Sequence, residues 1–436
     1  MKLDTVAVAV PDACSRLIGK RLTIDAWERV RAHGSISMPD FHLITDIENA
    51  PVSGLDATGV QNGFRNGLLR PDMGSWRELP WDEGTATVMC DAYDPDDQPS
   101  ERAPRWVLRR QLERLAARDL VASGATELEF YLYRTSYEAG ARTDYRRLRP
   151  AYHRAGDNDL LVDGHLEPFL GDVRRLVPRA GIPLELSQGE GGVGQFEVTL
   201  RHAEPLEMAD RHIVYKHAVK TIAQRHGLAA TFMAKVRDDQ AGSSCHVHLS
   251  LRDKAGRDRL GGEGESVLSP FGSAFVAGVL SHSPALALLF APYANSYRRL
   301  QPGSWAPATA TWGLDNRTAL VRICGDPGDR RVEFRLPGAD ANPYHAFAGL
   351  IAAGLAGVDA GLTVPLPVQG DAYAVEAPSL PAEIAEAVAL LAASELAERA
   401  FGADVRNHLV DLGAHERDVT RREVTDRDRA RCFEVA

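Results

Sequence analysis

The sequence predicts an α+β protein: a small N-terminal domain, then a large domain in which antiparallel strands alternate with long helices. Three observations predict it. Four short segments alternate strictly between apolar and polar residues: Thr126–Tyr133, Gly194–Leu200, Cys245–Leu251 and Arg331–Leu336. Longer segments repeat apolar residues at helical spacing. An acidic, proline-containing connector, Asp91–Pro104, separates a turn-rich start from the remainder, which predicts domains 1–103 and 104–436.

Taken in chain order, the first domain holds short β-like runs such as Thr85–Cys90. Behind Pro104, the spacing of Val107, Leu108, Leu112, Leu115 and Ala116 predicts a helix over Arg105–Leu120. The alternating segments follow as strands, interleaved with a helix predicted at Asp210–Ala223. Ala274–Ala291 is the most apolar stretch, but Gly278, Ser281, His282, Ser283 and Pro284 interrupt it, so it reads as buried helices and not a membrane span. A further helix is predicted at Pro343–Val358, opened by Asn342, and the Ala/Leu/Glu-rich end from Pro381 reads as helical.

Composition narrows the function. The formal charge of −10 and the absence of a basic arm argue against a nucleic-acid partner. Five widely spaced cysteines without a CxxC pair fit reduced thiols, and the apolar run in Met1–Val10 is too short for a signal segment. A cytoplasmic protein without membrane attachment is expected.

Residues two apart in a strand share a face. One face therefore collects Glu127 and Glu129, Gln195 and Glu197, His246, His248 and Ser250, and Arg331, Glu333 and Arg335. The other collects Leu128, Phe130, Leu132, Phe196, Val198, Val247, Leu249, Val332 and Phe334. Burying so many ionisable groups without partners costs several kcal/mol each, so something must neutralise them. Glu127, Glu129, Glu190, Glu197 and Glu333 with His246 form an oxygen-dominated donor set that suits Mg²⁺ or Mn²⁺, and five carboxylates are more than one ion needs. Paired ions suit phosphoryl transfer. Arg299, Arg317, Arg322 and Arg335 could grip carboxylates and phosphates bidentately. The GEGGVG run at Gly189–Gly194 matches a dinucleotide fingerprint literally, but a strand follows it, not a helix. Its glycines are read as letting the backbone pass close to a ligand.

With these residues in place, the chain resembles the glutamine synthetase superfamily, of the bacterial type I kind. The motifs that carry the resemblance are ELEFYLY, GxGQFEV, TFMAK (231–235), GSSCHVHLSL (242–251), NSYRRLQPGSWAP (295–307), DNRTALVRI (315–323) and RRVEFRLPGADANPY (330–344). The resemblance implies a small β-grasp domain and a catalytic domain whose curved antiparallel sheet, flanked by helices, lines the active site. It also implies a homo-oligomer of two stacked hexameric rings. By motif, Glu129, Glu190 and Glu197 would hold one metal, and Glu127, His246 and Glu333 a second. Arg299 and Gly242 would receive glutamate, with Arg317 and Arg335 facing the transferred phosphoryl group and the γ-carboxylate. Phe232, Lys235, His248, Ser250 and Arg322 would line the ATP side.

The departures concern the amine. Where glutamine-forming members carry GYEAP, this chain has GSWAP, with Trp305 in place of the flap carboxylate. No DGSS-like segment occurs; Leu55–Gly59 lies in that region without matching it. HHE becomes Gln188–Glu190, and the loop asparagine becomes Ala241. Tyr373 lacks the context of the adenylylated tyrosine. An ammonium pocket needs buried negative charge, whereas an indole suits an alkylammonium. The expected activity is ATP-dependent ligation of glutamate to an organic amine such as ethanolamine or a polyamine. The alternatives are glutamine synthesis from ammonium, a metal-dependent hydrolase that would leave the arginines unexplained, and a catalytically silent amine sensor.

Overall fold

Valine-rich alternation at the N-terminus starts a sheet with six strands among the described residues: β1 (Thr5–Pro11), β2 (Leu17–Thr23), β3 (Ile36–Pro39), β4 (Asn66–Pro71), β5 (Arg77–Glu78) and β6 (Thr85–Tyr93). The order is β2-β1-β6-β4-β3, with β5 on β6. The β1–β6 pair is parallel and the remaining pairs are antiparallel. The helix Ile24–His33 buries Trp27 in a core with Val6, Val8, Val10, Met38 and Val88, a grasp-like arrangement. The structure, a computed structural model, describes residues 2–52, 54, 55, 63, 65–264 and 266–435.

The larger sheet has eight strands: β7 (Leu120–Tyr133), β8 (Leu184–Gly189), β9 (Gln195–Leu200), β10 (Ala229–Thr231), β11 (Cys245–Asp253), β12 (Trp312–Leu314), β13 (Val321–Cys324) and β14 (Arg331–Phe334). Its order is β12-β13-β14-β11-β7-β9-β8, with β10 on the far part of β7. All pairs are antiparallel except β12–β13. The four alternating segments are thus neighbours, β14-β11-β7-β9. Their apolar face, with Phe130, Phe196, Val198, Val247, Leu249 and Phe334, is fully buried. Burial of that kind stabilises by roughly 1.5–3 kcal/mol for each large side chain.

Helices back this face. The helix predicted at Asp210–Ala223 is longer, Pro205–Arg225, because Pro205 starts the first turn and the Glu204 carboxylate caps it. Its His212 Nδ1 lies 3.2 Å from Thr126 Oγ1 of β7. The helix Pro343–Asp359 opens on the Asn342 side chain and is buried along nearly all its length. Ala274–Ala291 divides into Pro270–His282 and Ala287–Phe290, and no helix among the described residues is long and apolar enough to cross a bilayer. Four helices follow Pro381, as expected.

Two boundaries differ from expectation. The helix predicted over Arg105–Leu120 is Pro104–Ala116, because Asp119 takes a left-handed conformation and Leu120 already begins β7. Asp91–Tyr93, read as connector, completes β6. Asp91 is there because Arg105, only 1 % exposed, needs it: Nε donates to Asp91 at 2.8 Å, Nη2 to Asp72 at 2.6 Å and Nη1 to Asp210. This buried cation ties the first sheet to the helix Pro205–Arg225.

Candidate active site

The register of the large sheet stacks the charged face into two groups. Across β7 and β11, Glu127 opposes His246; across β11 and β14, His248 opposes Glu333; across β13 and β14, Arg322 opposes Glu333. Across β7 and β9, Glu129 opposes Glu197. Glu190 joins from the turn after β8, its amide bonded to the Gln195 carbonyl at 3.0 Å. The result is Glu127, His246 and Glu333 in one cluster and Glu129, Glu190 and Glu197 in another, each with donor atoms within 4.8 Å of one another. Residues far apart in sequence meet in the two sets that the motifs imply.

The first cluster compensates its own charge. Glu127 has His246 Nδ1 at 3.2 Å and His248 Nε2 at 2.9 Å, and Arg331 Nε donates to His248 Nδ1 at 3.2 Å. Glu333, 1 % exposed, accepts from Arg322 Nη1 at 2.6 Å and from Arg335 Nη1. Burial acts to raise both carboxyls, but the imidazoles outweigh it at Glu127, and the imidazoles with Arg335 hold Glu333 down to about 2. His246 is itself lowered, by burial and by Arg335.

The second cluster has no such compensation. Among the described residues none of its carboxylates makes an ion pair. Neutral donors serve them instead. Ser244 N and Oγ and Gln195 Nε2 donate to Glu129, the amide at 2.9 Å and Gln195 at 3.1 Å. Gln188 Nε2 donates to Glu190 and Thr199 Oγ1 to Glu197, each at 2.9 Å. Burial and mutual repulsion push Glu197 up to about 9 and Glu190 up to about 7. Like charges opposed across a ladder destabilise a sheet, so an all-oxygen set of this kind fits a hard divalent cation.

The expected glutamate residues also meet. Arg299 is buried, and its guanidinium donates to the carbonyls of Leu336 at 2.9 Å and Arg335 at 3.0 Å. A Cβ on Gly242 would stand 2.6 Å from Arg299 Cγ, so only glycine lets this loop approach. Tyr131 Oη holds the same loop through the Ala241 carbonyl at 2.7 Å. Trp305 has a left-handed backbone, φ 63°, and its carbonyl accepts from Arg335 Nη2 at 3.2 Å. A cavity of about 590 Å³ opens between loops 235–241 and 298–305, with Trp305 on its wall.

Other expectations are corrected. Phe232 is not beside the ATP-side residues: it is buried in the core behind the sheet, 5.5 Å from Phe130 and 6.5 Å from Tyr215. Pairing of Thr231 with Tyr131 leaves the following residue turned to the Phe130 face. Lys235 lines the 590 Å³ cavity, where its Nζ donates to the Gln240 carbonyl at 2.5 Å. Arg322 reaches the Glu333 cluster itself and also pairs with Asp315. Arg317 is exposed on the loop before β13, and among the described residues its side chain has no ion pair. Ser250 stays two residues beyond His248 on the same strand. Within GEGGVG, Gly192 makes room for a side chain, since a Cβ there would meet Tyr131 Oη at 1.9 Å, Gly189 lies against the Gly156 carbonyl, and Gly191 faces open space. Residues 56–59, weighed for the missing acid, lie outside the described residues. Ser244 and Cys324, whose Sγ donates to Glu333 at 3.3 Å, were not anticipated. The paired serines ahead of the HVH strand were the available signal for the first; nothing in the pattern pointed to the second.

Comparison with known proteins shows the family of the chain. The family model described as the glutamine synthetase catalytic domain matches residues 101–432. A gamma-glutamylethanolamide synthetase of Streptomyces coelicolor is 40 % identical over 433 residues, covering 99 % of this chain and 93 % of the relative. A glutamate–isopropylamine ligase of a Pseudomonas species is 32 % identical over 419 residues, covering 95 % and 91 %. A solved structure of apo GmaS without ligand superposes with a TM-score of 0.86 at 29 % identity, covering 99 % of this chain and 97 % of that one.

Proposed function

The chain belongs to the glutamine synthetase family, and on that premise we propose that it is an ATP-dependent ligase joining the γ-carboxylate of glutamate to an organic amine. The observation that carries the reading is the pair of ligand clusters on adjacent strands, flanked by Arg322, Arg335 and Arg299. Glu129, Glu190 and Glu197 would hold one divalent cation, Mg²⁺ or Mn²⁺, and Glu127, His246 and Glu333 a second. Bound there, such cations would supply charge neutralisation for the phosphates of ATP and the transferred group.

The protein's own groups do the positioning. A γ-carboxylate oxygen of glutamate attacks the terminal phosphorus of ATP, the bond to the leaving ADP oxygen breaks, and γ-glutamyl phosphate forms. The amine nitrogen then attacks the acyl carbon, phosphate leaves with the C–O bond electrons, and the nitrogen gives up a proton. Arg335 is fixed through Glu333 and the Trp305 carbonyl, so its guanidinium is preorganised for the charge that both steps develop. Arg317, free on its loop, would complete the phosphoryl contacts. Arg299, with Gly242 against its stem, would receive the amino-acid end. His248, Ser250 and Arg322 would serve the nucleotide side. The same premise carries the expected cytoplasmic location and assembly into a dodecamer of two hexameric rings.

The test is phosphate release from ATP with glutamate and Mg²⁺, comparing ammonium with ethanolamine, isopropylamine and putrescine. Organic amines should give the higher kcat/KM. Highest turnover with ammonium would make the enzyme a glutamine synthetase, and no glutamate-dependent turnover at all would make it a silent homologue.

A further inference from the structure

The cavity of about 590 Å³ carries four charged side chains, Lys235, Asp238, Asp239 and Arg298. Two of them are already engaged. Asp239 is gripped by Arg237 through bonds of 3.0 and 2.9 Å, and Lys235 Nζ is held by the Gln240 carbonyl at 2.5 Å. Among the described residues, no hydrogen bond or ion pair engages the side chain of Asp238 or of Arg298. The wall is completed by Trp305, 67 % exposed, whose carbonyl is tied to Arg335. The cavity therefore offers an incoming molecule one free anion, one free cation and an indole, and it adjoins the arginine assigned to the phosphoryl group.

We propose that this cavity admits the amine and selects short monoamines over diamines, an inference that rests on the ligase reading above. Asp238 receives the ammonium, Trp305 walls it by cation–π attraction, and Arg298 repels a second positive charge. Specificity of this kind comes as much from the repulsive element as from the attractive one. Asp239 is neutralised by Arg237, but Lys235 keeps its charge because its partner is a neutral carbonyl, so the cavity carries one excess positive charge, which disfavours two ammoniums more strongly than one.

The test uses the full chain with ATP, glutamate and Mg²⁺, measuring kcat/KM by phosphate release for ethanolamine, isopropylamine, putrescine and hydroxylamine, which is uncharged at neutral pH. Either monoalkylamine should exceed putrescine by about tenfold. D238N should lower kcat/KM for ethanolamine about fivefold more than for hydroxylamine, the range of an exposed charge pair. R298E should raise the putrescine-to-ethanolamine ratio about tenfold. Equal use of putrescine by the unaltered enzyme, or parallel losses for ethanolamine and hydroxylamine in D238N, would overturn the selectivity while leaving the ligase reading intact. Absence of phosphate release with every amine, hydroxylamine included, would overturn both.

Discussion

Two carboxylate clusters lie on neighbouring strands of one sheet, built from the same kind of alternating sequence, and they hold their charge in different ways. Glu127 and Glu333 are surrounded by His246, His248, Arg322 and Arg335 and stay ionised below the usual carboxylate range. Glu129, Glu190 and Glu197 have only hydroxyl and amide donors, and the latter two are pushed upward. A cation entering the second cluster relieves repulsion. One entering the first must compete with two arginines for the oxygens of Glu333. On the proposed ligase reading, a first ion would settle at Glu129, Glu190 and Glu197, and one at Glu127, His246 and Glu333 would be favoured once phosphates drew the arginines away.

The largest effect expected is at the compensated cluster. R335A removes a guanidinium that bonds both Glu333 and the Trp305 carbonyl. Turnover should fall by about 10²–10³-fold, with circular dichroism and melting showing a folded chain. Activity within tenfold of the unaltered enzyme would mean that Arg335 only balances Glu333 and touches no reacting group.

The next effect sharpens the contrast directly. Without nucleotide, Mg²⁺ at a hundredfold excess over its Kd should stabilise the protein by about 2.7 kcal/mol, read as a melting shift. E129Q and E197Q should abolish that shift and E127Q should keep most of it; equal loss in all three would erase the distinction between the clusters. The metal-free protein should also respond to pH. Carboxyls raised from 4.5 to about 7 and about 9 in the fold give stability that is fully present below pH 4.5. It is lost as pH rises through those two values. In chelator, melting temperature should therefore decline across this window, and Mg²⁺ should flatten the decline.

Much of this was legible in the chain. Alternation assigned the charged residues of β7, β9, β14 and the Cys245–Leu251 part of β11 to one face, and the ordered motifs named two candidate metal sets, whose members the register brings together. What alternation cannot encode is which strand lies next to which, or where a side chain goes once its strand ends. Phe232 follows the last residue of β10 and falls to the core face, and Lys235, in the loop beyond, turns to the cavity. Asp91 reads as a linker acid because its partner, Arg105, lies on a later helix. Arg322 is an ordinary strand arginine until β13 is laid against β14.

The smallest predicted effect asks how much of the uncompensated cluster is held by neutral donors. Ser244 gives Glu129 both its amide and its hydroxyl, and it is 4 % exposed. S244A removes one of these donors and leaves the amide. A ligand carboxylate that loses an outer hydrogen bond typically costs about tenfold or more in metal affinity, and because the amide and Gln195 remain, the loss of Mg²⁺ affinity should lie at that lower end. Metal-free stability should change by about 1 kcal/mol. Calorimetric titration separates the cases. A weakened first binding event with the nucleotide-dependent event preserved places Ser244 behind the resident ion; equal weakening of both would show that the two clusters share one donor network and are not independent.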